Sequence, residues 1–380
     1  MMLTLLIGGT VMANAQQDTT AQVAQEKPSK ERKFHISDYL SIGGFVTGQY
    51  EYVHQDIGTD EYDESSTFQI RQARVDLKGN ITPWLEFRLQ ADFANTPRLL
   101  DGFVKMKICR YVNVQVGQFK SPLTIENPYS PLNLEFASNA QVITALAGYK
   151  DVSGVSSFSG GREIGLQLYG TLAQYEWLGE HYPILEYKVG VFGGTGINVK
   201  KDNMAKDIAG SIAIHPLVRQ LSPMGWDLTL LGSAYWGRYA MGNGSDGLRL
   251  RCSGGIEYTA YHLTIRGEYV WGETDILDND GDEDYSYRLT THGAYLVAGY
   301  WFNFGWGSKS NVRQKLRPVL RCDFYQRDIE DFESASIHYG AGIDWWPERH
   351  LQVRLHYTLR QALESGRIGH AVTTEVAVKF

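Results

Sequence analysis

Charged residues recur at every second position along several stretches of this 380-residue chain, and any chemistry would lie on those faces. Arg74, Arg88, Lys105, Lys107, Arg249, Arg251, Arg266, Arg321 and Arg354 alternate with neighbours of other character, so each falls on one face of an extended strand. Glu86, Asp92, Glu257, Glu268, Asp323 and Asp344 fall on the same faces. A track of cations attracts anions through water. Interleaved carboxylates convert such a track into cross-strand ion pairs or a transverse field. Lys120, Lys150 and Arg162 belong to or border a long irregular stretch that also carries Glu126, Glu135 and Asp151. Covalent chemistry has no comparable signal. The ten histidines form no HExxH pair, no G-x-S-x-G elbow occurs, and GGTG at Gly193–Gly196 opens no helix. Cys109, Cys252 and Cys322 are an odd number without metal spacing, so they imply neither a disulfide framework nor a cluster. Asp275, Asp278, Asp280, Asp282, Glu283 and Asp284 crowd residues 274–288. Counting back from Gly281 puts Ile276 where the first calcium ligand belongs, so the EF-hand pattern fails.

The elements that hold these residues are strands. Leu85, Phe87, Leu89, Ala91 and Phe93 oppose Glu86, Arg88, Gln90 and Asp92; Leu263, Ile265, Gly267, Tyr269 and Trp271 oppose Thr264, Arg266 and Glu268. At the C-terminal end, Val372, Thr374, Val376, Val378 and Phe380 oppose Thr373, Glu375, Ala377 and Lys379. Phe68–Gly79 starts out of phase with its own second half, which predicts a bulge near Arg71. Mean hydropathy is −0.30. No apolar run approaches the roughly 20 residues of a spanning helix. A spanning barrel hides its lipid face in every second residue, so this average does not exclude a membrane. The 40 Gly, 23 Tyr and 9 Trp suit strand packing and interfacial girdles; Trp84, Trp301, Trp306, Trp346 and Phe380 stand near one set of strand ends and Trp271 near the other. The net charge of −7 argues against nucleic acid as a partner.

Residues 1–15 read as an export signal, with an apolar Leu3–Ile7 and Ala13-Asn14-Ala15 before the cut. Residues 16–38 read as a mobile polar periplasmic tail and 39–380 as an all-β, antiparallel up-and-down transmembrane barrel of about 16 strands. Within it, residues 120–161 break the rhythm and hold three prolines; a loop of that length is usually functional.

FQIRQARVDLKG at Phe68–Gly79, LEFRLQADFA at Leu85–Ala94, GQFKSP at Gly117–Pro122, GREIGLQLYG at Gly161–Gly170 and the Phe380 ending resemble the phosphate-selective porin O/P family, in a form like those of Bacteroidetes outer membranes. The resemblance spans most of the barrel in order. It implies a cell outer membrane location, an inward-folded constriction loop at 120–161, a homotrimer, and recognition of Phe380 by the barrel assembly machinery. It also implies lipid bilayer and lipopolysaccharide as surroundings; residues 274–288 then read as a solvated acidic loop that bridges divalent ions to lipopolysaccharide. The expected function is a porin, a passive diffusion channel for small hydrophilic solutes or ions, with ion transport biased toward anions or phosphate. The residues expected to line or narrow it are Lys120, Lys150, Arg162, Arg74, Arg88, Arg249, Arg251, Arg266, Arg321 and Arg354. No cofactor, metal or enzymatic step is expected. The alternative is a plugged barrel that serves binding or adhesion through its external loops.

Overall fold

The computed structural model describes residues 39–58, 61–154, 160–199, 206–222, 225–241, 244–278, 285–305 and 313–380. The proposed signal and tail (residues 1–38) lie outside the described residues, as do Trp306 and the acidic Asp280, Asp282, Glu283 and Asp284.

The strands are β1 (Leu40–Gly58), β2 (Glu61–Thr82), β3 (Leu85–Asp92), β4 (Arg98–Lys107), β5 (Asn113–Lys120), β6 (Arg162–Trp177), β7 (Glu180–Phe192), β8 (Asp207–Leu217) and β9 (Trp226–Ala240). They continue as β10 (Asp246–Ala260), β11 (Leu263–Asp278), β12 (Tyr285–Tyr300), β13 (Phe302–Gly305), β14 (Arg313–Asp328), β15 (Asp331–Glu348), β16 (Leu351–Ala362) and β17 (Ile368–Lys379). One short helix, α1 (Gln141–Leu146), interrupts the series. Each strand pairs antiparallel with its sequence neighbour. The exception is instructive: β12 and β13 both pair with β14, so they are two halves of one strand broken at Trp301. β1 pairs with β17 from Phe45↔Lys379 to Gln55↔Gly369, which closes the sheet. The result is a closed 16-strand antiparallel barrel with no unpaired edge, the arrangement that satisfies every backbone group when the surrounding solvent cannot.

The two faces are the reverse of a water-soluble protein. Leu320, Leu296, Leu355 and Val378 point outward and are more than half exposed. Their alternates point inward and are buried although charged: Arg266 and Arg354 are 1% exposed, Glu375 2% and Asp344 0%. An apolar exterior over a charged interior costs free energy in water and none in hydrocarbon.

The phase break in β2 is a bulge. Thr47 pairs with Gln72 while Gly48 pairs with Ile70, leaving Arg71 as the extra residue. Phe68 and Ile70 therefore stay outside with Val75, and Arg71 turns in to meet Glu375 at 2.8 Å. The tryptophans do not all join the girdle that their places at strand ends predict. Trp84 is exposed at a strand end, as a girdle residue should be. Trp301 and Trp346 instead share the inward face; their rings lie 4.9 Å apart, and the Arg317 guanidinium sits 4.8 and 5.4 Å from their centres. Side parity explains this, since Trp346 is two residues past the inward Asp344 and its neighbour Trp345 takes the outer face.

Candidate permeation site

The site is built where residues 121–161 leave β5 and return at β6. Pro122, Pro128 and Pro131 keep the first half out of regular structure, because proline lacks an N–H and restrains the residue before it. The stretch closes on itself: Ser121 N–H donates to the Gly161 carbonyl at 2.9 Å, and Lys120 pairs with Arg162 across the strands. Its apolar residues Val142, Ile143 and Leu146 are buried, and they cluster with the inward Phe119, Phe192, Val270, Tyr295, Val297 and Val319. Each of the three contributes about 2 kcal/mol to seating the segment. Gly293 and Gly340 make room for it: a Cβ would come within 2.8 Å of Val142 at the first and 2.6 Å of Phe136 at the second. Directional bonds fix the register. Thr124 N–H donates to Ser233 Oγ at 3.1 Å, Ile125 N–H to Glu268 Oε1 at 2.9 Å, and Gln141 N–H to Asp323 Oδ2 at 2.9 Å. These partners stand on β9, β11 and β14, all on inward faces.

The arginines expected to form a track are mostly bound. Arg251 meets Asp151 of the segment at 3.1 Å, and Arg266 meets Glu135 and also Glu257, the latter at 3.3 Å. Arg249 donates to Asp207 at 2.6 Å and Glu163 at 3.2 Å. Arg321 donates to the Ser138 carbonyl at 2.8 Å with Asp323 beside it at 3.8 Å. Arg354 lies between Glu375 at 3.3 Å and Asp344 at 3.6 Å and donates to the Leu132 and Leu134 carbonyls. Arg317 joins Asp344 at 2.6 Å and Glu135 at 3.6 Å. Alternating charges thus run from Arg71 through Glu375, Arg354, Asp344, Arg317, Glu135 and Arg266 to Glu257. Aromatic faces cap several members: Tyr129 lies under Arg266 at 4.6 Å and Phe136 under Arg321 at 4.5 Å. Guanidiniums paired and stacked in this way have few donors left for a passing ion. Glu126, buried in the segment and accepting from Ala140 N–H, has its carboxyl pushed above the ordinary range by that burial.

A different group of cations faces open space. A chamber of about 340 Å³ is lined by Arg74, Arg88, Lys105, Lys120, Arg162 and Lys188, with Asp101 as the carboxylate in its lining. Arg88 and Arg162 share Asp101, at 3.1 and 2.6 Å, and Arg74 leans on Asp92 at 3.2 Å. Lys120 donates to the Asn127 and Tyr129 carbonyls at 2.5 and 2.7 Å and so ties the segment's first turn to the wall. Lys105 lies against the Phe103 and Tyr169 rings and Lys188 stands across the sheet from Tyr169; neither makes an ion pair among the described residues.

The family model described as phosphate-selective porin O and P matches residues 46–240, more than half of the chain. The chain belongs to this family. The structure of the porin is similar to that of the anion-selective porin from Comamonas acidovorans, with a TM-score of 0.61 at 13% identity, over 90% of this chain and 99% of that one. It is similar to OprB of Pseudomonas putida, with a TM-score of 0.61 at 11% identity over 91% and 95% of the two chains. OmpF of Salmonella typhi gives 0.57 at 14% identity over 91% and 99%. At such identities the likeness is one of fold. No curated protein matches the chain. The porin is an outer-membrane β-barrel channel, and its exposed apolar face is the surface turned to the bilayer.

Of the residues expected from sequence, Arg74, Arg88, Lys120 and Arg162 come together in the chamber. Arg249, Arg251, Arg266, Arg321 and Arg354 lie in the paired network, and Lys150 is exposed on the segment. Lys188, Arg317 and Arg71 were not among the expected site residues. Lys188 had a readable signal, since Glu186, Lys188 and Gly190 alternate with Tyr187, Val189 and Val191.

Proposed function

We propose that the porin is a passive diffusion channel in which residues 120–161 act as the constriction and the cationic chamber biases passage toward small anions. The observation that carries this reading is the imbalance of the chamber lining, six cations against Asp101, with Lys105 and Lys188 unpaired among the described residues. The mechanism has no covalent step. A solute sheds part of its hydration to polar walls, the seated segment limits its size, and the lysines attract one sign of charge. The arginine network is a poorer candidate for selection. Its members are committed to carboxylates, so a strongly phosphate-specific ladder is not the reading the pairing favours, and a general anion bias is.

Neutralising the two lysines tests this. An ammonium about 4 Å from an ion in water is worth about 1 kcal/mol. Lys105→Gln with Lys188→Gln is expected to lower the chloride-to-potassium permeability ratio about tenfold after screening, with conductance retained. An unchanged ratio in correctly folded barrels would remove the chamber from the account.

The close seating of the segment favours one second reading, a plugged barrel whose external loops bind partners. Planar-bilayer conductance separates the two, because a plugged barrel passes no current. A homotrimer, with Phe380 as the feature read during assembly, and contacts to lipopolysaccharide remain part of the proposal. Crosslinking in native membranes tests the trimer.

A further inference from the structure

The chamber holds more than cations. Lys105 pairs with Gln115 across β4 and β5, and Gln115 pairs with Gln167 across β5 and β6. Gln115 is 7% exposed and Gln167 5%, and neither side chain makes a hydrogen bond among the described residues. One step along β6 stands Tyr169, with Lys188 beside it on β7. Both amides and both ammoniums belong to one lining, which also presents the Phe103 and Tyr129 rings. The amide atoms of both open onto the chamber rather than being sealed from it, so water or a solute there completes their hydrogen bonds.

A chloride would use the ammoniums and the two amide N–H₂ groups, but it has no hydrogen to give the amide carbonyls; inorganic phosphate can donate from a P–OH, but like chloride it has no apolar face for the rings. A polyol does both. Its hydroxyls donate and accept, as a primary amide requires, and its C–H face covers an aromatic ring. At about 340 Å³ the chamber lies at the lower end of small-molecule sites, and it holds the equivalent of about ten waters. We propose that it is a subsite for a polyhydroxylated organic anion, a sugar acid or sugar phosphate, whose hydroxyls meet Gln115 and Gln167 while its charged group lies between Lys105 and Lys188. This rests on the anion-biased reading of the same chamber and names the class of anion.

The test is block of the chloride current through single barrels by glucuronate, glucose and butyrate. Glucuronate is expected to reach half-block at a concentration about tenfold lower than either of the others, since only it engages amides and ammoniums together. Gln115→Leu with Gln167→Leu, checked for folding by heat-modifiable gel mobility, is expected to bring glucuronate to the butyrate level and leave the anion bias intact. If that variant does not fold, the wild-type comparison decides alone. Equal block by glucuronate and butyrate, with the anion bias present, overturns the subsite and leaves the anion-biased channel standing. Equal block by glucose and glucuronate overturns it as well, because the ammoniums would then contribute nothing. A wild-type barrel with no anion bias sinks the reading beneath it.

Discussion

Replacing Asp344 with alanine is expected to cost about 3–5 kcal/mol of barrel stability. Asp344 has no exposed surface. It accepts from Arg317 Nε at 3.0 Å and Nη2 at 2.6 Å, and it lies 2.9 Å from His356 Nε2 and 3.6 Å from Arg354 Nε. Its removal leaves Arg317 and Arg354, both buried, with one fewer anion between them. Glu135 and Glu375 remain, but each is already shared with another arginine. The penalty therefore comes from uncompensated buried charge more than from the lost attraction. Urea unfolding of detergent-folded protein, followed by intrinsic tryptophan fluorescence, measures it. The comparison is Asp76→Ala, whose partner Arg88 is part-exposed and retains Asp101; the expected cost there is below about 1 kcal/mol. If Asp344→Ala and Asp76→Ala unfold at the same urea concentration, the alternating network does not carry the stability assigned to it.

Excising residues 125–151 and bridging the ends with a short glycine-serine linker is expected to raise single-channel conductance several-fold. The segment's backbone bonds to inward side chains of β9, β11 and β14. The sign of the selectivity change is more diagnostic than its size. Widening a pore ordinarily weakens selectivity, because wall charges become screened from the middle. Here the excision also removes Glu126, Glu135 and Asp151; it takes from Arg251 its carboxylate partner, leaving the Leu250 and Glu273 carbonyls, and releases Arg266 and Arg317 in part. The wider channel is expected to keep its preference for anions. An unchanged conductance would mean that solutes pass by a route the segment does not narrow. A turn to cation preference would mean that the freed arginines do not face the path.

Much of the barrel was legible in the sequence because alternation is a local property. β3, β11 and β17 could be divided into faces residue by residue, and the bulge at Arg71 showed as a break in phase. Position at a strand end does not by itself fix the face a side chain takes. Strand ends alone group Trp301 and Trp346 with the girdle, whereas counting from Asp344 puts Trp346 inside. Lys188 is legible only once the two faces of β7 are separated. The pairing of the cations with the segment's carboxylates was not legible. Arg251 finds Asp151, and Arg317 finds Glu135, across separations far beyond any local pattern, and only the path of residues 121–161 brings them together. The mixture of signs on the inward faces did indicate that ion pairs compete with an anion track. Which cations would stay unpaired depended on where the segment's carboxylates fall.

The most direct measurement is the zero-current potential of the refolded wild-type protein in a planar bilayer under a potassium chloride gradient. The chamber lining predicts conductance with a potential of anion-selective sign that shrinks as salt rises. A potential of zero or of cation-selective sign, in barrels that conduct, would contradict the account.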